Sequence, residues 1–94
     1  MKGKELLIRK WLNKKGYYTT AAVFLQQNER WDEDTLSLDG VLGITDCSRK
    51  IDLDLYCATQ RDAKNALYKL DILLETIQAA RDFIAERAKL LPRP

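Results

Sequence analysis

The stretch KELLIRKWLNK, residues 4–14, decides how the rest of the chain is read. Leu7, Ile8, Trp11 and Leu12 recur at the spacing of one helical stripe, with Lys14 and Lys15 following along the same lines. Gly16 comes directly after the last periodic turn. Lys14 and Lys15 stand where a helix dipole is negative, so a helix is expected to end there.

Beyond Gly16 the helical spacing resumes. Over residues 18–28, Ala21, Phe24, Leu25 and Asn28 share a face, and Thr19 or Thr20 is placed to cap its start. Thr, Val and Phe also favour sheets, so a strand is the competing reading. The short connection through Gly16 and Tyr17 favours two antiparallel helices, an αα-hairpin over residues 4–28.

Residues 29–46 read mostly as loop, punctuated by Asp32, Asp34, Asp39, Gly40 and Gly43. Next comes IDLDLYC, residues 51–57. Ile51, Leu53, Leu55 and Cys57 alternate with Asp52, Asp54 and Tyr56, a period of two that argues for a strand, paired as a hairpin with residues 35–45. As a helix, Ile51, Leu55 and Ala58 would share a face, a weaker pattern.

Residues 60–90 carry the clearest element. Thr59-Gln60-Arg61-Asp62 resembles a capping box. Ala63, Leu70, Ile77, Ile84 and Leu91 recur every seventh residue, with Ala66, Leu73 and Ala80 between them. Arg87 falls on the next position of that seam, and Pro92 ends the pattern. Tyr68, Ile72, Ala79 and Phe83 form a second line. A helix of this length spans roughly 45 Å, against about 16 Å for each shorter helix of the expected hairpin. A small domain cannot cover both apolar lines over that distance, so a second copy is expected to cover the remainder.

The 94 residues allow a single domain, residues 1–94. Hydrophobic residues make up 46% and charged residues 32%, so a core is affordable and compositional disorder is not indicated. No apolar run approaches the roughly 18 residues of a membrane span, and no signal peptide is expected. Cys47 and Cys57 lack neighbouring ligands, which fits two thiols in a reducing compartment, cytoplasm or nucleus. The charge is polarised. Residues 1–20 carry +5, residues 27–59 carry −5 and residues 60–94 carry +2. Such polarity is able to steer one copy against another.

Leu7-Ile8, Trp11-Leu12, Gly16-Tyr17, Thr20-Ala21 and Phe24 stand at the spacings of the LisH dimerisation motif, and residues 4–28 resemble that family. Trp11 replaces the more usual Tyr, and Gln27 stands where Glu is frequent. The resemblance implies homodimerisation through a compact bundle of two helical hairpins. Phe24-Leu25, Arg30-Trp31, Leu36, Gly40 and Asp54-Leu55-Tyr56-Cys57-Ala58 are also similar to LUFS domains, extended LisH modules of transcriptional cofactors. That likeness implies a helix over residues 48–58, although Thr45 to Lys50 is polar where the family carries a tryptophan-rich run.

The chain has no histidine, which removes the commonest general base and metal ligand. No Gly-rich phosphate loop is present, and Asp52 with Asp54 lacks further cation ligands. No enzyme, cofactor or metal site is therefore expected. The expectation is an all-α fold: a LisH-type hairpin, a loop, a short segment that is helix or β-hairpin, and a long C-terminal helix. These would assemble as an oligomeric helical bundle, a homodimer or tetramer. Its function would be to join copies of a scaffold or regulatory assembly, with other protein subunits as partners and no membrane. The interface is expected at Leu7, Ile8, Trp11, Leu12, Tyr17, Ala21 and Phe24, with Ile77, Phe83 and Ile84 secondary. Two other readings stay open. One is nucleic-acid binding through the basic N-terminal segment, where Lys2, Lys4, Arg9, Lys10, Lys14 and Lys15 interleave with Trp11, Tyr17 and Tyr18. The other is an adaptor that docks through its acidic middle segment.

Overall fold

The computed structural model describes residues 3–13, 15, 16 and 21–93. It corrects the all-α expectation. The described residues form a four-stranded antiparallel meander followed by one long helix. The strands are β1 (Glu5–Trp11), β2 (Ala21–Asp32), β3 (Thr35–Asp46) and β4 (Arg49–Asp54), in spatial order β1-β2-β3-β4. The helix α1 spans Gln60–Arg87, and a 3-10 turn covers Ala88–Leu90.

Where a helical hairpin is expected over residues 4–28, the described residues form the strands β1 and β2, and among the described residues there is no helical bundle. The reason lies in β1. Leu7, Ile8, Trp11 and Leu12 fit a helical stripe, but the same spacing also distributes them over both faces of an edge strand. Lys4 brackets the pairing at one end. Its carbonyl accepts from Glu29 N at 2.8 Å and its own N–H donates to Glu29 Oε1 at 3.0 Å. Leu12 N donates to the Ala21 carbonyl at the other end.

Residues 29–46 are likewise strand rather than loop. The two glycines read there as punctuation lie inside β3, where β2 side chains cross them. A β-carbon at Gly43 would collide with the Phe24 ring, and one at Gly40 would collide with the Gln27 side chain. The reversals come instead at Glu33-Asp34 and Cys47-Ser48, two-residue connections whose first residues take φ of 56° and 57°. That left-handed conformation ordinarily selects glycine, asparagine or aspartate.

The segment 51–57 follows its period of two, and the helix implied for residues 48–58 is absent. β4 pairs with β3 through Ile44↔Ile51 and Leu42↔Leu53. Past β4, Leu55 N donates to the Gly40 carbonyl, and Cys57 exchanges two backbone hydrogen bonds with Leu38. The chain then turns into α1 through a complete capping box. Asp62 N donates to Thr59 Oγ1 at 3.2 Å, and Asp62 Oδ2 accepts from Thr59 N and Ala58 N.

Alternation sorts the sheet into two faces. One carries Leu6 and Ile8, Val23 and Leu25, Leu38, Leu42 and Ile44, then Ile51 and Leu53. The other carries Arg9, Gln26, Asn28, Arg30, Asp39, Lys50 and Asp52, with Phe24 set into the space over Gly43. The second face is wet, and Arg30 pairs with Asp39 at 2.9 Å on it. The first has the composition of a core.

A candidate self-association surface

Almost nothing covers that apolar face. Among the described residues the only buried hydrophobic side chains are Leu55, 4% exposed, and Cys57, 7% exposed. Both sit where α1 begins. There Leu36, Leu38, Cys57 and Ala63 line a shallow cavity. Lys69 Nζ donates to the Asp54 carbonyl at 3.0 Å, which ties the third turn of α1 to the end of β4. Away from that corner, Leu6, Ile8 and Ile51 are exposed, and Val23, Leu25, Leu42 and Ile44 are only half-buried.

The helix divides in the same way. Ala63, Ala66, Leu70 and Leu73 are half-buried. From Leu74 to Arg93 every residue is exposed. Ile77 and Ile84 continue the half-buried line at its seven-residue repeat, yet they are 59% and 62% exposed. Phe83 is exposed as well, with the Arg87 guanidinium stacked 3.6 Å from its ring centre. A cation over the ring face is a favourable contact, but it leaves the rest of the ring in solvent.

The dimensions state the same fact for the whole chain. The radius of gyration is 17.5 Å, where a compact chain of this length has about 12 Å. The accessible surface is 8715 Å², where a compact monomer of this mass exposes about 5,600 Å². The excess is roughly 3,000 Å².

The residues expected at an interface fall into three places. Ile8 and Ala21 lie on the apolar face, while Leu7, Trp11 and Phe24 lie on the polar one. Leu12 is exposed just past β1. Ile77, Phe83 and Ile84 lie on the free half of α1. The structure does not bring them together as one patch, and Tyr17 lies outside the described residues. Trp11 is 76% exposed. Val23, Leu25, Leu42, Ile44, Ile51 and Leu53 were not singled out from the sequence as interface residues. Their signal was the alternation that becomes visible once β3 and β4 are paired.

The basic residues near the N-terminus are also divided. Lys10 falls on the apolar face and Arg9 on the other, so β1 presents no single cationic stripe. Among the described residues no cluster of three or more metal-binding side chains occurs. Asp52 is paired with Lys50 at 3.5 Å, and Asp54 Oδ1 accepts from Tyr56 N. Among the described residues no helix is long and apolar enough to cross a membrane. Comparison with protein-family models, with curated proteins and with solved structures finds no match.

Proposed function

We propose that this chain is a non-enzymatic self-association module, at least a homodimer, that brings together copies of the assembly carrying it. One observation carries this reading: a surface roughly 3,000 Å² larger than a compact monomer needs, with Leu6, Ile8, Ile51, Ile77 and Ile84 among the exposed apolar side chains. Stable homodimers bury about 1,000–2,500 Å² on each partner, so a second copy is the right size to remove most of that excess. Each large apolar side chain so covered contributes about 1.5–3 kcal/mol.

The interface follows the observed faces rather than a helical hairpin. Ile8, Leu25, Leu42, Ile44 and Ile51 supply the sheet contribution, and Ile77 and Ile84 supply the helix contribution. Two free thiols, Cys47 in a turn and Cys57 buried, suit a reducing compartment, and cytoplasm or nucleus is the proposed location.

The test is static light scattering on the full chain and on Leu42→Asp, which puts a charge at the centre of the open face. The unmodified chain is expected at a multiple of its 10.9 kDa and the variant at a lower mass. A variant of unchanged mass and unchanged circular dichroism removes the sheet face from the interface.

A further inference from the structure

The helix line that the chain half-covers by itself continues, uninterrupted, into a region that the chain does not reach. Ala63, Ala66, Leu70 and Leu73 are half-buried, and Ile77, Ala80 and Ile84 extend the same seam in solvent. The free portion, residues 74–87, is about 21 Å long. An occupant must match that length and offer an apolar stripe with the same repeat. The same segment of another copy does so. We infer that the free half of α1 pairs antiparallel with its counterpart in a second copy, with Ile84 of one chain against Leu73 of the other and Ile77 against Ala80. This inference rests on the self-association reading and adds to it a segment and a direction.

Two features select the direction. Arg87 occupies a seam position. A parallel pair would stack Arg87 on Arg87, whereas the antiparallel pair sets Arg87 opposite Leu70, one residue from Asp71. The helix dipoles also oppose in this arrangement. The exposed Leu90 and Leu91 are carried back toward the sheet of the other chain, where apolar surface is still open.

Disulfide trapping in a Cys47→Ser background tests the arrangement on the full chain. Leu73→Cys mixed with Ile84→Cys is expected to give a covalent dimer joined between those two positions. Each variant alone is expected to stay reduced, because its own copies lie far apart along the axis. Spin labels at Glu86→Cys, an exposed position, give a second reading. Their axial separation is about 22 Å in the antiparallel pair and near zero in a parallel one. Self-linking of Ile84→Cys, or closely spaced labels, overturns the direction. Absence of any helix cross-link in a chain that still sediments as an oligomer overturns the helix pairing and leaves self-association standing. A monomeric parent chain overturns both.

Discussion

Phe24 and Gly43 show how single residues shape this sheet. The ring occupies the space that a side chain at Gly43 would need, and Lys50 Nζ lies 5.4 Å from its centre. Gly43→Val should displace the ring and destabilise the chain by about 1–3 kcal/mol, measurable as a lower midpoint in urea with an unchanged slope. The turns act in the opposite sense. Glu33 and Cys47 hold positive φ without being glycine. Glu33→Gly should therefore stabilise by about 1 kcal/mol, read as a raised melting temperature. A fall in melting temperature would show that the turn is not strained. Gln27 is a third case. Its Nε2 is buried on the apolar side with no hydrogen-bond partner. Gln27→Met, of similar length, should leave stability unchanged or raise it by about 1 kcal/mol. These residues also explain why the meander was hard to see in the sequence. Hairpin turns are usually announced by Asn-Gly or Asp-Gly. Here Glu33-Asp34 and Cys47-Ser48 make the turns, and the glycines that look like turn signals sit in mid-strand.

At the level of elements, legibility follows how many readings a pattern admits. Ile51, Leu53, Leu55 and Cys57 alternate strictly with polar residues and Tyr56, and Ile51 and Leu53 lie on one sheet face, so the strand is plain from periodicity, and the helix implied by family resemblance there is what fails. The stretch over residues 60–87 also reads directly, because a seven-residue repeat over that length fits nothing else and the box at Thr59 marks its start. Thr59→Ala should cost about 1 kcal/mol, seen as a loss of helical ellipticity on mild heating. β1 was opaque because it is an edge strand exposed along its whole length. With no buried face, nothing forces its apolar residues to alternate, and a helical stripe fits them equally well. The apolar-face residues on β2 and β3 become legible only through pairing, since a single strand does not show which face its neighbours will extend.

At the level of the molecule, the chain spans 60 × 25 × 21 Å and buries two hydrophobic side chains among the described residues. A fold of this shape has the elements of a domain without the cover that makes a domain stable. The account therefore makes folding and association one process, with stability that rises with chain concentration. The most direct test is sedimentation velocity of the unmodified chain across a wide range of concentration and salt. The account predicts an oligomer whose mass is a multiple of 10.9 kDa, which persists at high salt because apolar surface holds it, and which loses structure as it dissociates on dilution. A folded, monomeric 10.9 kDa species at every concentration would contradict it.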